Sequence, residues 1–343
     1  YILDNDLLKK PTEVLILSYH TRNSVMLSPQ FLWYLDHNLV CDKLHTVYTF
    51  KPQKVFQKFV KNITMNRRKG DEVDTDEDSK IIALMSKLCG NSSIGKSMLQ
   101  RCKHKNVHLT NDKGVGKLIN SPFYSNMEEV EPHVHEVMMR KRVVKHDTPL
   151  IVGVSVYSYA KLEILKFIYD FLFKYLNRDL ITLINHDTDS IWVSLACDEL
   201  DECVKEDVKR EFYGEYNQYL VPQACPIHHD AWVEVKMSGF DWVTSDYPCC
   251  CKYHKFFSRQ PLLFKKEYEG SYFFALSSKT YWSGSFDVNV KPKFSTKGIS
   301  KIHSGITKEH FISVLDTKKA VKGKNYQFTI RNSNIYRTKQ EKY

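Results

Sequence analysis

Two aspartates, Asp187 and Asp189, lie two residues apart in the segment His186-Asp187-Thr188-Asp189-Ser190. Short apolar runs at 180–184 and 191–195 flank them, so the stretch reads as two strands joined by an acidic turn. In a strand-like turn, residues i and i+2 point to the same side, which predicts that the two carboxylates share a face. Such a pair repels unless a cation sits between them. Mg2+ takes oxygen ligands and keeps positions open for phosphates. The pattern therefore suits metal-assisted phosphoryl transfer. An acidic surface turn would use the same residues, since Asp and Thr favour turns, and the pair alone does not separate the two readings.

Other groups carry chemistry of their own. Lys87 and Asn91 fall one turn apart on a predicted helix and so share a face. Residues 90–97 (Gly90-Asn91-Ser92-Ser93-Ile94-Gly95-Lys96-Ser97) also match the P-loop string of an NTPase. A P-loop needs a strand directly before it, however, and 78–89 has the pattern of a helix that would run through the glycines. Lys279 and Tyr281 stand at i and i+2 after an apolar strand, which lets both reach one groove. Lys291, Lys293, Lys297 and Lys301, with Phe294 among them, form a basic stretch suited to duplex phosphates. Cys225, His228, His229, Cys249, Cys250, Cys251 and His254 raise the question of zinc, because Cys-x-x-His spacing is allowed. Adjacent cysteines are awkward ligands for one ion and buried free cysteines are common, so that question is open and weighted against the metal. His133 and His135 are expected on a surface loop.

The elements that would position these groups follow from periodicity. Residues 43–51 alternate like a strand, and 53–64 carry a helical stripe. The charged stretch 67–79 reads as a loop leading into a helix over 78–101. Residues 103–146 read as loops, a hairpin or a small insertion. Residues 149–156 predict a strand feeding an amphipathic helix over 158–176. A charged helical segment is expected over 198–218, irregular structure over 222–260, strands within 261–285, and mixed helix and loop over 286–343. The fold class expected is α+β.

The formal net charge is +10, with 50 Lys and Arg against 40 Asp and Glu, which suits a polyanionic partner. No run of about 18 apolar residues predicts a membrane span. Nine cysteines at irregular spacing do not read as a disulfide framework and point to a reducing compartment. The chain opens on Tyr1 in mid-pattern, which is read as a piece of a longer protein.

The Asp187-Thr188-Asp189-Ser190 core resembles the Tyr-x-Asp-Thr-Asp-Ser signature of family B DNA polymerases, with Asn185 in place of the aromatic. Lys87-Leu88-Cys89-Gly90-Asn91-Ser92-Ser93-Ile94-Gly95 resembles that family's Lys-x-x-x-Asn-Ser-x-Tyr-Gly fingers helix, with Ile94 replacing the aromatic. Lys279-Thr280-Tyr281 resembles its Lys-x-Tyr element, and the order of the three is the family's order. Residues 264–267, 198–213 and 277–281 resemble the protein-primed subgroup, of organellar plasmid, adenovirus-like and Maverick (Polinton) type.

The resemblance implies a palm with an antiparallel sheet over 147–285, a helical fingers element over 78–102, an insertion over 103–146 and the start of a thumb over 286–343. Residues 1–77 would join a preceding carboxylate motif to the fingers. It implies template-directed transfer from dNTPs to a primer 3′-OH on two Mg2+ ions held by Asp187 and Asp189. Lys87, Asn91, Ser92 and Gly95 would bind dNTP, and Lys279, Tyr281 and Lys297 would bind DNA. The partners implied are a primer–template and a terminal protein primer, in a nucleus or mitochondrion. The family's remaining carboxylate motif, Asp-x-x-Ser/Asn-Leu-Tyr, is not found. Asp4 and Asp6 precede Leu7 without the required Tyr, and the motif is expected upstream of Tyr1. The chain alone is therefore expected to extend no primer. A non-catalytic DNA-binding transposon remnant and a P-loop NTPase are the alternatives.

Overall fold

The computed structural model describes residues 2–3, 12–13, 24–70, 76–101, 104–277, 279–296, 298–301, 304–331 and 334–342. The chain divides into two units, 1–50 and 51–343.

In the first unit, β1 (Ile2–Leu3) pairs antiparallel with β2 (Thr12–Glu13), and α1 (Ser28–Asp36) follows with Pro29 in its first turn. The indole of Trp33 is buried and stacks on His37 at 3.8 Å. The strand expected over 43–51 does not form; 43–50 is irregular and exposed. A strand needs a partner for its ladder of N–H and C=O groups, and alternation alone does not supply one.

The second unit begins with α2 (Gln57–Lys69) and α3 (Glu77–Ser97). Asp76 caps α3 by accepting from the Ser79 N–H at 2.6 Å, a bond that lowers its pKa. Asn66 Nδ2 donates to Ser86 Oγ at 3.3 Å and ties α2 to α3. Because α3 runs unbroken through residues 90–97, no strand precedes those glycines and no phosphate-cradling loop exists there. The P-loop reading fails on that ground.

The segment expected to be loops, a hairpin or a small insertion comprises β3 (Lys105–Asn111), α4 (Asp112–Ile119), β4 (Tyr124–Glu131) and β5 (Val134–Arg140), with antiparallel strand order β3-β5-β4. It contains a hairpin, β4–β5, extended by a third strand into a folded sheet. His133 lies in the β4–β5 turn and His135 on β5. Asp112 bridges them, with His133 Nδ1 and His135 Nε2 each 2.6 Å from a carboxylate oxygen. These two bonds, His135 first, hold the Asp112 carboxyl below its usual range. His135 is thus a sheet residue and not a loop residue.

The strand expected over 149–156 is instead the first half of α5 (Leu150–Lys166). The helix continues through a π-helical stretch, Phe167–Leu172, into α6 (Phe173–Tyr175). Alternating valines give this stretch β-propensity, but tertiary context overrides propensity. Gly153 decides the packing, since α5 crosses α3 there. A Cβ at Gly153 would collide with Met98 and come within 2.7 Å of Ser97 Oγ.

Next come β6 (Ile181–Asp187) and β7 (Ser190–Leu195), an antiparallel hairpin, as expected. Short 3-10 turns at Leu200–Cys203 and Glu206–Val208 lead to α7 (Lys209–Tyr219). Cys197 and Cys203 form a disulfide across one of these turns. Residues 222–260, expected to be irregular, hold α8 (His229–Met237) and α9 (Pro248–Phe257). Pro248 starts α9 at a position where its missing N–H costs nothing. Strands β8 (Tyr272–Ser277), β9 (Thr280–Gly284) and β10 (Lys293–Ser295) form a second antiparallel sheet in the order β10-β9-β8. The C-terminal part contains α10 (Lys308–Thr317) and a ribbon of β11 (Gly323–Arg331) and β12 (Asn334–Lys342). The mixed helix and loop expected there is corrected by that ribbon.

The main core lies between the α5–α6 helix, α7, α8 and α9 and the base of the β6–β7 hairpin. Phe167, Phe171, Tyr175, Ile181, Phe212, Tyr213, Trp232 and Cys250 are buried within it. Phe171, fully buried, stacks on Phe212 at 5.2 Å and on Tyr219 at 4.8 Å. Aromatic side chains bury large areas and carry most of a core's energy. Helices stand apart from small antiparallel sheets, so the class is α+β. Among the described residues, no helix is long and apolar enough to cross a membrane.

Candidate active site where two hairpin turns meet

The acidic turn is local in origin. Asp187 closes β6 opposite Ser190, leaving Thr188 and Asp189 as a two-residue turn. The Asp189 N–H donates to the Asp187 carbonyl at 2.5 Å, and Thr188 sits at φ 52°. An i to i+2 bond around a residue of positive φ is a γ-turn. For a β-branched residue this backbone region is an outlier, costing about 1–3 kcal/mol. Thr188 Oγ1 donates to Asp187 Oδ1 at 3.0 Å and Ser190 Oγ to the Asp187 carbonyl at 3.3 Å. Asp189 belongs to the turn and not to the strand, so the expected strand alternation does not govern its direction. Asp187 is half-buried and Asp189 exposed.

A second tight turn comes from far along the chain. Ser277 pairs with Thr280, which places Lys279 at a hairpin tip with φ 64°. Lys279 Nζ lies 3.3 Å from Asp187 Oδ1, and the two tips meet through that ion pair. Aromatic packing holds the hairpins together behind it. Trp192 on β7 contacts Phe273 on β8 at 4.8 Å and Tyr281 on β9 at 5.1 Å. Burial, then the negative charge of Asp187, pushes the Tyr281 phenol above its usual pKa. Lys293 is committed to Glu267 at 3.2 Å and lies 5.7 Å from the Trp192 ring.

Of the residues picked out in the sequence, Asp187, Asp189, Lys279 and Tyr281 form one cluster. Lys87, Asn91, Ser92 and Gly95 lie exposed on α3. Among the described residues, no hydrogen bond or ion pair joins them to the hairpins. Lys297, Asp4 and Asp6 lie outside the described residues. Trp192 is a part of the cluster that pattern reading did not single out, and Asn185, noted only as standing in place of an aromatic, is another. Directly opposed residues of an antiparallel pair share a face; Asp187 faces Ser190 and Asn185 faces Trp192, so alternation back from Asp187 would have found both. Asn185 Oδ1 accepts from the His186 N–H at 2.9 Å, while its buried Nδ2 has no protein partner.

The donors at the acidic turn are hard carboxylate oxygens, the chemistry that Mg2+ takes. Lys279 already counters part of the charge of Asp187 and is itself more than half exposed. Compared with known families, curated proteins and solved structures, the chain matches none.

Proposed function

We propose that this chain is part of a family B DNA polymerase of the protein-primed type, with the β6–β7 hairpin as its palm turn and α3 as its fingers helix. The observation that carries the reading is the Asp187–Lys279 contact. It joins the Asp-Thr-Asp-Ser turn to the Lys-x-Tyr element, which are remote in sequence and which the resemblance assigns to one site. The second support is α3, a continuous helix that displays Lys87 and Asn91 one turn apart and exposed.

In this reading Asp187 and Asp189 would hold Mg2+, which when bound stabilises charge on the attacking and leaving oxygens. Lys87 would neutralise the incoming triphosphate. Lys279 would leave Asp187 for a backbone phosphate of the primer–template, and Tyr281, wedged by Trp192, would set the height of the groove floor. The reaction would be attack of a primer 3′-hydroxyl on the α-phosphate of a dNTP, with pyrophosphate leaving.

The test is binding of a labelled primer–template, titrated at several salt concentrations, followed by dNTP binding to the complex with Mn2+. Expected are an affinity that falls steeply with salt and a dNTP signal lost in both Lys87→Ala and Asp189→Asn. Salt-dependent DNA binding with no dNTP signal would favour a non-catalytic DNA-binding remnant. Absence of DNA binding would remove the polymerase reading.

A further inference from the structure

Away from the hairpin turns, two separate pieces of chain bring four metal-ligating side chains to one point. Cys225 comes from the loop after α7, His228 is the residue that caps α8, and Cys249 and Cys250 lie in the first turn of α9. Their ligand atoms all lie within 4.8 Å of one another, and among the described residues this is the one such group of three or more. Cys225 and Cys250 are buried, and His228 and Cys249 half-buried.

Four of the six ligand–ligand spacings can be compared with those of a tetrahedron around an ion. With metal–sulfur bonds of about 2.3 Å and metal–nitrogen bonds of about 2.0–2.1 Å, tetrahedral angles put two thiolates about 3.8 Å apart and a thiolate about 3.5 Å from an imidazole nitrogen. Cys225 Sγ lies 3.7 Å from Cys249 Sγ. His228 Nδ1 lies 3.4 Å from Cys249 Sγ and 3.6 Å from Cys250 Sγ, and 3.0 Å from Cys225 Sγ. Three of these four edges fall close to the ideal. A buried cysteine that serves only as a small apolar side chain has no reason to surround an imidazole nitrogen with two more.

The surroundings fit as well. The Cys225 N–H donates to Cys250 Sγ at 3.5 Å, the kind of outer bond that orients a thiolate ligand. The His228 ring rests 4.6 Å from Tyr247, itself stacked on Trp242 at 4.5 Å. Other cysteines and histidines nearby are used differently. His229 Nδ1 meets Asn217 Nδ2, His254 Nδ1 lies 3.1 Å from the Pro222 carbonyl, and Cys251 is exposed. The adjacency of Cys249 and Cys250 is no obstacle, because the helix turn lets both sulfurs face the loop.

We propose that Cys225, His228 through Nδ1, Cys249 and Cys250 bind one structural Zn2+ ion, which fastens the 220–228 loop and the N-termini of α8 and α9 to the core. The donor set is soft and closed: three thiolates and an imidazole favour Zn2+ over Mg2+, and four protein ligands leave no position for a substrate. The site is independent of nucleotide chemistry and stands whether or not the chain is a polymerase.

The experiment is elemental analysis of the chain expressed in zinc-supplemented medium, with Co2+ exchange as a spectroscopic count of thiolates. Expected is one zinc per chain, and a Co2+ form with intense tetrahedral d–d bands and a thiolate charge-transfer band. Cys225→Ser and Cys249→Ser should lose the metal, while Cys251→Ser and Cys89→Ser keep it. Should the ligand variants fail to fold, a chelator added to the wild-type chain gives the second reading: loss of zinc, release of three titratable thiols and a lower melting temperature together. A wild-type chain without stoichiometric zinc and without the cobalt spectrum overturns the proposal. So does zinc retained in the Cys225→Ser/Cys249→Ser double variant, or a disulfide between Cys225 and Cys249 in place of metal.

Discussion

Replacing Lys279 with Met should change two affinities in opposite directions. Its ammonium lies 3.3 Å from Asp187, with side-chain exposures of 55% for Lys279 and 26% for Asp187. At that exposure the pair is screened, and such pairs contribute about 0.2–1 kcal/mol. The ammonium is a competitor that a divalent cation must displace to use Asp187. Removing it should therefore tighten Mn2+ binding at the turn by about 1.4- to 5-fold, which is that energy divided by RT and exponentiated. DNA binding should weaken, and the slope of log affinity against log salt should flatten by about 1, the loss of one phosphate contact. Mn2+ can be followed by the paramagnetic resonance signal of the free ion, and DNA by anisotropy across a salt series. Folding stability should hold to within about 1 kcal/mol. Unchanged or weaker Mn2+ binding in Lys279→Met would show that the ammonium does not guard a cation site. An unchanged salt slope would show that Lys279 does not reach a phosphate.

The remaining predictions concern the scaffold. Gly95 in α3 has nothing within 4 Å of a Cβ position, so Gly95→Ala should raise stability by about 0.5–1 kcal/mol in a urea melt. Gly153→Val should instead cost about 1–3 kcal/mol by overpacking against Met98 and Ser97; equal effects of the two substitutions would contradict the α3–α5 crossing. Burial pushes the Tyr175 phenol up from 10.0 to about 12, so the folded chain holds that proton more tightly than the unfolded chain. The resulting stabilisation, about 3 kcal/mol, is complete below pH 10 and disappears as pH rises to about 12. Urea melts across that window should show Tyr175→Phe losing less stability than the wild type.

The acidic hairpin and α3 could be read from the sequence because their causes are local. A tight turn needs only Asp, Thr and Ser between short apolar runs, and a helix needs only residues of helical propensity and its cap at Asp76. The order of motifs is a property of the chain, and so was legible too. Residues 149–156 were misread because alternating valines state a β-preference, while the helix there is selected by the Gly153 contact with α3, a neighbour more than fifty residues away. The alternation over 43–51 formed no strand for a related reason, as pairing is not a local property. The helices within 222–260 were hidden by Pro and Cys clusters whose roles depend on the core they cover. Sequence alone thus determined which residues could do chemistry near Asp187 and Asp189, because turn geometry and residue type act within a few bonds. Only the tertiary structure decided that Lys279 faces Asp187, that Trp192 wedges the two hairpins, and that Cys225, His228, Cys249 and Cys250 converge. Those distances depend on how segments remote in sequence pack, which spacing along the chain does not encode.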